Sequence, residues 1–207
     1  MTNEFSESDL EKLKSIINYY IGLKTGAAFS SLLGEKVEYK TKIYYKYLAP
    51  YEIDYPPSNE IILCSTFLTG KGDIKFRILY TLIEEHAKKL AAKLLCLESL
   101  KELNEISQSS IKEVGNILTG SFFNAVCDGT NFQIDLSTPN FTMGSFDEVF
   151  TPIKKSIMNI EDMVTADVVL ESKSKEIKLR MIIIQEKNDA KKLLSQYALL
   201  APKIKNN

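Results

Sequence analysis

Near the amino terminus, apolar residues recur at helical spacing: Leu10, Leu13, Ile17, Ile21 and Phe29. That period predicts one long helix over residues 8–33, opened by acidic residues and stopped by Gly34. The period then drops to two. Val37, Tyr39, Thr41, Ile43 and Tyr45 alternate with Glu38, Lys40, Lys42 and Lys46, which predicts a strand over 37–47 with one wet face. A connection carrying Pro50, Pro56 and Pro57 leads to a strand over 60–68. Gly70-Lys71-Gly72-Asp73 then predicts a hairpin turn into a strand over 74–80, followed by a helix over 81–97.

The second half repeats this order. A helix over 109–126 precedes a strand over 132–136 and a long connection around Pro139 and Pro152. Strands over 163–170 and 176–185 flank the turn Ser172-Lys173-Ser174-Lys175, and a helix over 189–200 closes the chain. Helix, three strands, helix thus occurs twice. The fold class expected is α/β of the α+β kind, with pseudo-twofold duplicated halves (8–98 and 105–200) sharing one mainly antiparallel sheet. Residues 1–207 are read as a single domain. The halves share little sequence, so the repeat rests on element order.

On the helix over 109–126, Ile111, Val114, Leu118, Phe122 and Ala125 fall on one apolar stripe that must face a core. Ser109, Glu113, Asn116 and Gly120 form a second stripe almost opposite, directed to solvent. Core packing does not account for it. Gly115 and Gly120 each cost a helix about 1 kcal/mol relative to alanine. A glycine on an exposed face has a use only where another backbone comes close, so Gly120 marks a partner surface. A bare Glu-x-x-Asn is common by chance, and the pair alone fits a solvated face as well as a site.

Composition narrows the functions. The formal net charge is -1, so no basic field exists to hold nucleic acid or an anionic membrane. Cys64, Cys96 and Cys127 lie far apart without Cys-x-x-Cys spacing and are read as buried thiols rather than zinc ligands or disulfides. The first residues lack the basic start and apolar run of a signal peptide, and no stretch reaches membrane-spanning length, so a cytoplasmic protein is expected. His86, the single histidine, has no nucleophile placed beside it and reads as structural. Tyr44, Tyr45, Tyr47, Tyr51 and Tyr55 are attributed to sheet packing, and Lys187, Lys191, Lys192, Lys203 and Lys205 to a solvated face.

The string Ser109-Ser110-Ile111-Lys112-Glu113-Val114-Gly115-Asn116-Ile117-Leu118-Thr119-Gly120, continuing to Leu136-Ser137-Thr138-Pro139, closely resembles the second signature helix of the CheC/CheX/FliY family of chemotaxis phosphatases. The helix ending in Phe29-Ser30-Ser31-Leu32-Leu33-Gly34 is similar to that family's other signature helix. Two-site members carry a Glu/Asn pair in both. Here the first helix offers Ser15 and Asn18 if Asn18 is the matching asparagine, or Ile16 and Tyr19 if the helices are aligned on Leu33-Gly34. Either way the first site lacks its carboxylate.

The resemblance implies a phosphatase acting on the aspartyl phosphate of a CheY-like response regulator. Asn116 would position the attacking water, Glu113 would pair with the receiver's lysine, and Ser109 and Gly120 would contact the partner. Ser109 also suits a helix N-cap or first-turn position. No cofactor or metal of its own is expected, Mg²⁺ belonging to the receiver. A CheD-like deamidase and a second copy of the chain are further partners that the resemblance suggests. The alternative functions are a catalytically weak adaptor binding a receiver and a flagellar-switch component of the FliY kind.

Overall fold

The computed structural model describes residues 4–46, 61–157 and 159–205. Tyr47, Tyr51, Tyr55, Pro50, Pro56, Pro57 and the start of the strand expected over 60–68 lie outside them. The amino-terminal helical period becomes one rod in three parts: α1 (Glu7–Tyr20), a π-helical turn (Ile21–Thr25) and α2 (Gly26–Leu33). A capping box starts it, with Ser6 Oγ accepting from the Asp9 N–H at 3.2 Å and the Asp9 carboxylate accepting from the Ser6 N–H at 3.1 Å. Gly34, in the left-handed region with φ 65°, ends it as its position predicts.

Among the described residues the strands are β1 (Val37–Tyr45), β2 (Leu63–Gly72), β3 (Phe76–Ile83), β4 (Ile134–Leu136), β5 (Asn140–Gly144), β6 (Met163–Ser172) and β7 (Lys178–Glu186). Every pairing is antiparallel, in the order β1-β6-β7-β3-β2-β4, with β5 also on β2. Exchanging β1 with β4 and β5, β2 with β6, and β3 with β7 reverses that order and leaves it unchanged. The pseudo-twofold axis therefore passes between β3 and β7, where Leu79 stands opposite Ile182. One sheet serves both halves.

Successive side chains of the central strands serve different cores. Ile78, Tyr80 and Leu82 join Met181 and Ile183 in a large core shared with α1, α2, α3 (Glu84–Leu94), α4 (Glu105–Thr130) and the carboxy-terminal helices. Leu79, Ile182 and Ile184 join a smaller core under α5 (Phe146–Ser156), through Val149, Phe150 and Ile153. Strands buried on both faces read as continuous apolar runs, which is why β3 and β7 alternate so little.

Several expectations change. β2 continues through Gly70 and Gly72 to pair with β4, and the turn moves to residues 73–75. Those glycines are there for close approach: a Cβ on Gly70 would run into the Phe123 ring of α4, and one on Gly72 into the Gln133 carbonyl. β3 extends to Ile83, and α3 starts only at Glu84. The connection around Pro139 and Pro152 contains β5 and α5. Ser145 and Glu148 cap α5, and its stripe of Phe146, Val149, Phe150 and Ile153 holds it down despite Pro152. The last helix is two, α6 (Lys187–Ser195) and α7 (Tyr197–Lys205).

Two side-chain readings are also corrected. Cys64 is buried, but Cys127 is half-buried and Cys96 is exposed. Cys96 sits at a φ of 55° just past the end of α3, where the chain turns outward. Lys187 and Lys191 are not simply solvated. They lie over the Tyr45 and Phe5 rings at 5.7 and 5.8 Å from the centroids.

Candidate active site

α4 carries the site. Asn104 caps it, its side-chain oxygen accepting from the Ser107 N–H at 3.0 Å. The helix thus begins more than a turn before the sequence pattern suggests. Ser109 is neither its cap nor in its first turn, so capping does not account for that residue. Ile111, Val114, Leu118, Phe122 and Ala125 are all buried, which fixes the rotation of the helix. Gly115 lets it settle onto the sheet: a Cβ there would stand 2.7 Å from Thr66 Cγ2 and 3.4 Å from the Tyr80 ring. Thr119 locks the contact, its hydroxyl lying 3.0 Å from the Tyr80 hydroxyl and donating to the Gly115 carbonyl at 2.8 Å. Neither Thr119 nor Tyr80 stands out in the sequence, because a threonine mid-helix and a tyrosine mid-strand carry no spacing signal.

With that face held down, the opposite one is presented outward. Ser109 and Glu113 are exposed, and Asn116 and Gly120 are half-buried along the same ridge. Asn116 Nδ2 donates to Glu113 Oε2 at 3.4 Å, a long bond that brings the two polar heads together without tying up the amide oxygen. Among the described residues nothing lies within 4 Å of the place where a Cβ on Gly120 would stand. The arrangement is a convex ridge. Concavities of about 360 Å³ over β1, β6 and β7 and about 530 Å³ beside α3 contain neither Glu113 nor Asn116. A carboxylate and a carboxamide on a ridge can be inserted into another molecule's cleft but cannot enclose a small substrate.

His86 is a structural residue: its Nδ1 accepts the Lys178 N–H at 2.9 Å, joining α3 to the start of β7. Among the described residues no three His, Cys, Asp or Glu side chains converge as a metal site, and no helix is long and apolar enough to cross a membrane.

The first helix contains the counterpart of this ridge, and the π-helical turn decides its register. Such a turn holds one residue more than the α-helix it interrupts. Counted back from the left-handed caps, Gly34 and Asn131, the offset between the helices is 97 after the turn and 98 before it. Ser15 and Asn18 therefore match Glu113 and Asn116. Burial agrees. Leu13, Ile16, Ile17 and Tyr20 are buried, as are their partners Ile111, Val114, Gly115 and Leu118. Ile16, fully buried, cannot stand in for exposed Glu113. Glu11, Ser15, Asn18 and Gly22 repeat the four-three-four spacing of Ser109, Glu113, Asn116 and Gly120, a signal present in the sequence but hidden by the inserted residue.

Residues 106–143, which are α4, β4 and most of β5, match the model of the CheC-like family. Over 203 residues the chain is 24% identical to the CheY-P phosphatase CheC of Bacillus subtilis, covering 92% of this chain and 94% of that protein. The fold is shared with Thermotoga maritima FliY, at a TM-score of 0.72 and 16% identity, over 96% of this chain and 98% of that one. It is shared also with CheX in the CheX–CheY–BeF3–Mg complex from Borrelia burgdorferi, at a TM-score of 0.55 and 16% identity, over 85% and 97%. A site helix matched by the CheC-like model, a relative similar along nearly its whole length and a shared fold make this chain similar to the CheC, CheX and FliY chemotaxis proteins.

Proposed function

We propose that the chain dephosphorylates the aspartyl phosphate of a CheY-like response regulator by inserting the α4 ridge into the receiver's phosphorylation site. The observation that carries this reading is the exposed, mutually hydrogen-bonded pair Glu113 and Asn116 on a helix whose opposite face is fully buried. An aspartyl phosphate is a reactive acyl phosphate, and the receiver brings the Mg²⁺ and lysine that neutralise its oxygens. What a second protein adds is a water fixed in line with phosphorus, since phosphoryl transfer is catalysed chiefly by positioning and electrostatics. The neutral carboxamide of Asn116 can accept from and donate to one water without repelling the phosphoryl group. Glu113, one turn away, pairs with the receiver's lysine and sets the register of the ridge. Ser109 and Gly120 extend the contact, Gly120 by letting the receiver's backbone approach. The CheX relative seen with CheY, BeF3 and Mg supports a receiver as the partner.

The test is the decay of a phosphorylated CheY-like receiver with and without the protein. Asn116→Ala is expected to slow the stimulated rate by about 100-fold and Glu113→Ala by about tenfold or more, as loss of positioned groups does. Unchanged rates in both variants would refute the assignment. Binding of the phosphorylated receiver without hydrolysis by the wild-type chain would leave an adaptor.

A further inference from the structure

Glu11, Ser15, Asn18 and Gly22 repeat the ridge of α4 on the first helix, but the two faces differ in what stands over them. A Cβ on Gly120 would meet open space, whereas one on Gly22 would lie 2.5 Å from the Tyr39 hydroxyl oxygen and 3.4 Å from its Cζ. Tyr39 reaches across from β1. Its ring continues over Gly26, 3.8 Å from a Cβ built there, and its hydroxyl donates a long bond of 3.4 Å to the main-chain oxygen of Asn18. Gly22 and Gly26, one turn apart, form the shelf on which the ring rests.

Glu11 is exposed, but the oxygens that match the Glu113/Asn116 pair in position are turned in. Asn18 Oδ1 is buried and accepts no hydrogen bond among the described residues. Ser15 Oγ donates to the Glu11 carbonyl at 2.8 Å rather than projecting outward. A carboxamide oxygen withdrawn from solvent cannot hold a water for an incoming phosphoryl group. In the second half the residue five places beyond the left-handed cap, as Tyr39 is beyond Gly34, is Leu136, which packs against the core. Among the described residues no ring overhangs Gly120.

We propose that Tyr39 is a built-in plug that closes the first helix's counterpart of the Glu113/Asn116 face, so that α4 alone offers a receiver an open ridge. The closure stands on geometry, while its consequence for a receiver rests on the proposed function.

Two measurements separate these. In a Cys96→Ser background, maleimide labels Asn18→Cys at least about tenfold more slowly than Asn116→Cys, and adding Tyr39→Ala removes most of the difference, because labelling then no longer waits for local opening. Gly22→Ala, which forces the ring off without deleting it, does the same if Tyr39→Ala lowers the melting temperature too far. Equal labelling at both positions with Tyr39 in place overturns the plug, whatever the activity. In an Asn116→Ala background, Ser15→Glu alone leaves receiver dephosphorylation at the Asn116→Ala level. Ser15→Glu with Tyr39→Ala raises it by about tenfold, roughly 1.4 kcal/mol in the barrier. If the wild type hydrolyses and labelling shows the face open, yet no rate returns, Tyr39 is not what keeps a receiver from the first helix. A wild type without activity refutes the phosphatase instead, and the labelling still decides the plug.

Discussion

Gly115 and Gly120 look alike in the sequence, two glycines in one helix, and the structure gives them opposite surroundings. Gly115 faces β-branched Thr66 on a buried strand, which has no room to swing aside. Gly115→Ala is therefore expected to destabilise the fold by about 1 kcal/mol or more, the overpacking exceeding the gain in helix propensity. Gly120→Ala meets nothing and should stabilise it by about 0.5–1 kcal/mol, while lowering the affinity for a phosphorylated receiver. Urea unfolding of both variants settles the pair, and shifts of the same sign would contradict it. The ridge residues were legible because spacing on a helix fixes direction. Their supports were not: Thr66 and Tyr80 come from other elements, and only the fold brings them under Gly115. The exposure of Cys96 is hidden from the sequence for a related reason, since it depends on where the chain turns just past the end of α3.

At the scale of elements, two of the differences from the sequence pattern come from residues with two uses. Gly70 and Gly72 carry the composition of a turn but serve close packing against Phe123 and Gln133. Pro152 lies inside α5, whose apolar stripe was present in the sequence but outweighed by the proline. The joint between α3 and β7 carries a prediction of its own. Burial of His86 pushes its pKa below the ordinary 6.5, with Lys89 and Lys178 acting in the same direction and Glu85 and the Glu176 carbonyl opposing them. The folded state thus holds the imidazole neutral, free to accept the Lys178 N–H. The unfolded chain binds a proton first as pH falls, so this contribution is complete above pH 6.5 and is lost between 6.5 and the lowered folded value. Thermal melts in that window should show the wild type losing stability more steeply than His86→Gln. Parallel curves would mean that the joint does not sense protons.

Over the whole molecule, duplication was readable from element order, and the sheet supplies what order could not: β3 and β7 meet at the axis, and the strand sequence reads the same from either edge. Long-range pairing leaves no mark on a single strand, so neither the neighbours of β3 nor the inclusion of β5 could be read in advance. The π-helical turn is where the first helix falls out of step with α4. An extra residue in a regular helix would rotate everything before it by 100°, yet here Leu13, Ile16 and Tyr20 still meet the core. The turn takes up the surplus like a spare link in a chain. Removing Leu23, which is exposed within it, should leave a straight helix with both flanks in phase, at a cost of no more than about 1 kcal/mol, a few degrees of melting temperature. The same deletion at Thr119 in α4 has no slack to draw on and should unfold the protein. This helix thus has a stretch where chain length itself is free to vary.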